Sequence, residues 1–190
     1  MKKGLLLIIA AALCISCFTG CEKKKSKKSD NESKTVSKYD LKRMRSTSLS
    51  NLKQIAMGIM SYSDDFDGYM PADLSKLSDY LGGSTTAETI LSSPYTKDKK
   101  GYIYCAPQIQ VHKIQSPATF PVAFENPKTL PENTDDIAVA YADGHVTAVP
   151  MQGADKLTPA EIAKKLVEKM SDRARDAFGQ KVISTAEKDI

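Results

Sequence analysis

Apolar residues recur at intervals of three and four from Ser37 to Phe66: Leu41, Met44, Leu49, Leu52, Ile55, Ile59, Tyr62 and Phe66, with Ala56 and Met60 on the same side. Lys42, Arg43, Ser46, Lys53, Gln54 and Ser61 fall opposite, and no proline interrupts the run. This is the period of an amphipathic helix. Ser37 is placed as its N-cap and Gly68 as its stop. About 30 residues rising 1.5 Å each give a rod of about 45 Å. Such a stripe needs a partner, and a sheet is the obvious one.

The pattern then changes. "LSKLSDYLGG" from Leu74 reads as a short helix stopped by Gly82 and Gly83. "GYIYCAP" from Gly101 and "FPVAFENP" from Phe120 are short apolar runs between turn residues, and so predict strands. "DIAVAYADGHVTAVP" carries the clearest strand signal. Its Asp143-Gly144 predicts a two-residue type I′ hairpin, which would pair Ala142 with His145, Tyr141 with Val146 and Ala140 with Thr147. One face would show Ala138, Ala140 and Ala142; the other Ile137, Val139 and Tyr141. The alternation does not say which face receives the long helix. Beyond it, Thr158, Pro159 and Glu161 form a capping box. Ile162, Leu166, Met170, Ala174 and Phe178 make a second amphipathic helix, with Gly179 as its end and a frayed tail after Gln180.

The first 20 residues stand apart. Lys2 and Lys3 precede an apolar run from Leu5 to Phe18, which is the layout of a secretory signal peptide and short for a membrane span. The run ends in "CFTGC", which resembles a bacterial lipobox with Phe18 where leucine is usual. That resemblance implies cleavage before Cys21 and attachment of lipid to its thiol; Cys17 is the weaker second candidate. Cys14 and Cys17 leave with the signal and Cys21 carries lipid. Cys105 alone then remains for the folded part, which can form no internal disulfide and must be held by packing. Cys105 itself reads as a buried strand thiol.

Charge divides the chain after Cys21 into two parts. Glu22 to Arg45 holds ten Lys/Arg and four Asp/Glu, whereas Ser46 onwards holds 15 and 19. The overall net charge of +4 therefore combines a basic segment with a mildly acidic domain. "EKKKSKKSDNESK" has no apolar residue and is expected to be a disordered tether. Its lysines suit a solvated spacer or an anionic leaflet, where each adds about 1 kcal/mol. Nucleic acid is not an expected partner, because no aromatic residues are interleaved with the cations. The expected organisation is a signal peptide over 1–20, a tether over 21–36, a folded domain over 37–150 and a helical extension over 151–190.

Three segments carry a family resemblance. "LSNLKQIAMGIMSYSDDFDGYMP", "FPVAFENP" and "IAVAYADGHVTAV" resemble, in order, the helix end, a Pro-x-Ala-x-Glu strand and the closing Asp-Gly-His-Val hairpin of type II secretion pseudopilins and related prepilin-type proteins. The resemblance implies an α+β, pilin-like fold: a long N-terminal helix across a small antiparallel sheet, here with a C-terminal amphipathic helix added. There are two departures. Asn133 stands where many relatives carry a histidine, with nine residues between it and the Asp-Gly pair. The lipobox and tether also replace the prepilin leader and the transmembrane half of the helix.

Candidate chemistry is sparse. His112 and His145 are the two histidines, and no nucleophile elbow, Cys-x-x-Cys, His-Glu-x-x-His or phosphate loop occurs. Asp143 is explained by the turn and His145 by its strand. Asp64, Asp65 and Asp67 crowd a helix C-terminus, where the dipole disfavours anions. Ser63, Asp65, Asp67 and Gly68 resemble the start of an EF-hand loop, but its twelfth position would be Leu74 rather than Glu. These three aspartates are thus weak calcium candidates, read first as solvated acids. Related pseudopilins bind calcium in a different loop near the C-terminus. No catalytic residue, cofactor or small-molecule substrate is evident.

The expectation is a non-enzymatic, lipid-anchored protein of the bacterial envelope, facing periplasm or exterior. It would meet the membrane through lipid and unidentified protein partners in a secretion or filament system. The rival reading is an envelope enzyme or solute-binding protein that uses the sheet as a platform.

Overall fold

The computed structural model describes residues 37–188. The expected signal peptide, Cys21 and all but the end of the basic segment lie outside these residues. Helix α1 spans Lys38–Asp65. Ser37 is its N-cap and accepts from the Asp40 amide at 3.2 Å. At the other end the Gly68 amide donates to the Ser63 carbonyl at 2.8 Å, with Gly68 at φ +78°. The chain there turns through the left-handed region, which glycine enters freely.

Four strands succeed it: β1 (Tyr102–Tyr104), β2 (Pro121–Glu125), β3 (Asp136–Tyr141) and β4 (Val146–Pro150). They form one antiparallel sheet in sequence order. Helix α2 (Ser84–Leu91) precedes the sheet, and α3 (Pro159–Val167) and α4 (Asp172–Lys188) come after it.

Both faces of the sheet are covered. Tyr102 opposes Glu125, Tyr104 opposes Ala123, and Ala123 opposes Ala140, so these side chains share a face. The Ser48 hydroxyl of α1 bonds Glu125 and meets Tyr102, which puts α1 on that face. The long helix therefore takes the alanine side, where Ala123, Ala138 and Ala140 are fully buried and allow close approach. Ile103, Phe124, Ile137 and Val139 are buried on the other face. There α3 and α4 pack together, α4 reaches β1, and Phe178 meets Phe120 edge-on at 5.7 Å.

Several sequence expectations need correction. The α1 stripe is buried from Leu52 to Ile59, but Leu41 and Phe66 at its two ends are exposed. Ser48 and Asn51 are buried instead, because the sheet beneath is polar at that point. The stretch from Leu74 makes two 3-10 turns, Leu74–Leu77 and Asp79–Leu81, and α2 begins after Gly83. The hairpin register is shifted by one: Ala140 opposes Val146 and Val139 opposes Thr147. A type I′ turn needs positive φ at both central residues. Here Gly144 has φ +82° and Asp143 does not enter that region. The Gly144 amide closes on the Tyr141 carbonyl at 2.9 Å and the Tyr141 amide on the His145 carbonyl at 3.0 Å. That is a three-residue loop with its glycine in the left-handed position.

The capping box at Thr158 and Glu161 is present as expected. The helix it starts stops at Val167, however, and a second begins at Asp172 and runs through Gly179 to Lys188. Gly179 is a packing glycine. A Cβ there would lie 2.9 Å from a Val167 methyl, so its absence lets α4 cross α3 closely. The Ile162–Leu166–Met170 stripe is buried.

Leu52 is fully buried at the α1 contact. Leu52→Ala is expected to cost roughly 2–5 kcal/mol, the transfer energy plus a residual cavity. Urea unfolding of the two proteins measures it; equal midpoints would place Leu52 outside the core.

Candidate functional site

The most organised polar cluster among the described residues surrounds Glu125, at the end of β2. Its carboxylate is 1% exposed. The Ser48 hydroxyl donates to Oε1 at 2.5 Å and the Tyr95 hydroxyl to the same oxygen at 3.2 Å. The Ala138 amide donates to Oε2 at 2.7 Å, and Arg45 Nη1 completes that oxygen's shell. Ser48 gives its single hydrogen to Glu125, so in its 3.3 Å contact with Tyr102 the tyrosine is the donor. The other Arg45 nitrogen, Nη2, donates to Asp136 at 2.7 Å. Arg45 thus joins one buried and one half-exposed carboxylate.

Burial works against the Arg45 charge, but Glu125 beside it raises the guanidinium pKa above its ordinary value. Burial, reinforced by the Glu125 charge, pushes the Tyr95 hydroxyl well up. Tyr102 is raised to about 12, chiefly by burial. Both phenols stay protonated and serve as donors at neutral pH. Both Glu125 oxygens are satisfied by protein donors, and the cluster ties α1 to β2 and β3. Sequence reading passed over Glu125 as part of a strand motif. A carboxylate in an otherwise apolar run was the available signal, since a buried charge requires partners elsewhere.

The sequence-derived candidates are dispersed. Asp143 and His145 flank the hairpin glycine. The Asp143 carboxylate accepts from the His145 amide at 3.0 Å and meets Nδ1 at 2.5 Å. Desolvation of Asp143 is outweighed by these bonds, so its pKa is lowered. The His145 ring stacks on Tyr141 at 4.4 Å. Lys53 of α1 donates to the Gly144 carbonyl at 2.6 Å, and a Cβ on Gly144 would lie 2.6 Å from the Met60 sulfur. The Asp143–Gly144 turn is therefore a docking point for α1. His112 lies far along the chain, its Nδ1 3.1 Å from where a Gly68 Cβ would be. Asn133 takes φ +61°, and its amide donates to Asp155 at 3.2 Å.

Asp64, Asp65 and Asp67 are exposed. Asp65 accepts from the Tyr80 hydroxyl at 2.8 Å, and this bond raises Tyr80 to about 12. Among the described residues no three His, Cys, Asp or Glu side chains converge as a metal-ligand set. Cys105 is buried, and its Sγ donates to the Pro121 carbonyl at 3.4 Å.

No protein-family model matches the chain, and neither a curated protein nor a solved structure matches it.

Removing the Glu125 carboxylate would strand Arg45 and the Ala138 amide. Glu125→Ala is expected to cost roughly 3–5 kcal/mol, the penalty for uncoupling a buried pair, and Glu125→Gln less. Thermal and urea unfolding of both variants measure this. A Glu125→Ala protein as stable as the parent would mean that the cluster does not hold the layers together.

Proposed function

We propose that this chain is a lipid-anchored, pilin-like protein of the bacterial envelope that works by contact with other proteins rather than by catalysis. The observation that carries the reading is α1, a helix of 28 residues lying on the alanine face of an antiparallel sheet that closes with the Asp143–Gly144 hairpin. This is the arrangement implied by the resemblance of its three segments to the pseudopilins. Among the described residues no helix is long and apolar enough to cross a membrane. The first turn of α1, with Tyr39 at 87% exposure, comes directly after the lysine-rich segment. A tethered head of this kind docks beside, caps or regulates filaments that other subunits build. Lipid on Cys21 takes the place of a transmembrane half-helix.

The rival platform reading loses support because the sheet has no open face: α1 covers one side and the α3–α4 pair the other. The buried carboxylate at Glu125 also has both oxygens taken by protein donors.

Two readouts on one pair of proteins test the proposal. Palmitate labelling of the expressed chain should appear, and Cys21→Ser should abolish it and leave unprocessed precursor. Cleavage moved to Cys17 would relocate the anchor. Electron microscopy and light scattering of the purified lipoprotein should show monomers or small oligomers. Long filaments of this protein alone, or labelling unaffected by Cys21→Ser, would contradict it.

A further inference from the structure

The segment that links α1 to the rest of the domain, "SDDFDGYMP", buries Met70 in the core and leaves Phe66 and Tyr69 at the surface. It builds a defined surface. Phe66 and Tyr69 are 49% and 46% exposed, two of the five large exposed hydrophobic residues described. They line one cleft of about 500 Å³ together with Tyr62, Asp67, Gln108 and Lys181. This is within the roughly 300–1,000 Å³ range of small-ligand sites. Phe66 stacks on Tyr62 at 4.2 Å with 14° between the rings, and Tyr80 braces Tyr62 edge-on at 5.6 Å. The aromatic floor is thus fixed from behind.

The backbone around the cleft is held as firmly. The Tyr69 amide closes a turn on the Phe66 carbonyl at 2.8 Å. Tyr69 also forms an isolated antiparallel bridge with Gln110. Met70 donates to Ile109, Val111 to Gly68 and Gln108 to Pro71, at 2.9, 2.8 and 3.3 Å. Two of the four non-glycine residues with positive φ among those described, Asp67 at +51° and Gln108 at +53°, belong to the two segments of this clasp, and both line the cleft. Backbone held in sparsely populated regions concentrates where a ligand is gripped. Glutamine has no local side-chain reason to adopt that conformation, unlike the aspartate.

We infer that this cleft binds a saccharide. A pyranose ring has an apolar C–H face, which packs on the electron-rich face of an aromatic ring. Its edge carries hydroxyls that need both donors and acceptors. Phe66 and Tyr69 supply the aromatic surface. Asp67 accepts, Lys181 donates and Gln108 does both, so the rim matches a neutral polyhydroxylated ring better than an ion of either sign. An apolar peptide would leave these three polar groups unpaired. The inference stands on the cleft alone and holds whether or not the protein is anchored by lipid.

The test is a chemical-shift titration of the full chain, in detergent, with N-acetylglucosamine oligomers and separately with cello-oligosaccharides. The two arms distinguish an acetylated wall-type glycan from a neutral one. Saturable shifts confined to amides of Phe66–Tyr69 and Gln108 are expected with at least one of them. Phe66→Ala and Tyr69→Ala should each weaken binding by about tenfold or more through loss of a stacking surface. Both residues are substantially exposed, so melting points close to the parent's should show that the variants fold. Absence of shifts with both glycans overturns the inference. So does equal binding by the parent and both variants, or shifts that map elsewhere. Capture of a protein partner through Phe66 by a parent that binds neither glycan would also refute it.

Discussion

One buried carboxylate governs the arrangement of the layers. Asn126 and Pro127 end β2 just after Glu125, while β3 continues to Asp136. Ala138 lies just past the last β2–β3 pair, Phe124–Val139, and its buried amide cannot be left unpaired at low cost. The Glu125 side chain folds back to accept from it. That choice brings a negative charge into the interior, which then needs donors. Arg45 and Ser48 of α1 supply two of them and Tyr95 a third. The ending of one strand therefore fixes where, and at what rotation, the long helix lies.

The remaining contacts are consistent with that placement. Alanines at 123, 138 and 140 let the helix backbone approach, and Leu52, Ile55 and Ile59 fill the space left beside them. Further along, Lys53 holds the hairpin carbonyl and Met60 covers Gly144, where a side chain would collide. The helix is thus gripped twice: by an ionic cluster near Arg45 and by the hairpin tip near Met60. Toward its ends it meets solvent, with Tyr39 exposed in the first turn and Phe66 just past the last. On the opposite face the sheet is apolar, and the α3–α4 pair closes it by simple burial.

The parts of this fold that were legible in the sequence are those with local causes. The period of α1, the Ser37 cap, the alternation of β3 and the capping box at Thr158 each depend on residues a few positions apart. What escaped depends on distant partners. Gly179 looks like a helix stop until Val167 is known to press against it. Asp143-Gly144 satisfies two turn types, and the chain takes the three-residue form, which shifts the pairing by one. Helix α2 was hidden because its buried positions, Ala87 and Ile90, are few and Gly83 provides no side-chain cap. Glu125 and Arg45 are 80 residues apart, and no local pattern connects them. The aromatic cleft was misread for a related reason: the aspartates drew notice, whereas its rings come from α1 and the adjoining turn and its polar rim partly from Gln108 and α4.

The central claim is that α1 and the sheet form one cooperative head held through Glu125. Native-state hydrogen exchange measures this directly, because amides in one cooperative unit open together. The amides of Leu52 to Ile59 are then expected to exchange with the same opening free energy as those of Val139 and Ala140. Glu125→Ala is expected to lower both sets equally. Helix amides that exchange through a separate, lower-energy opening while the strands stay protected would show that α1 rests on the sheet without being locked to it, and would contradict the claim.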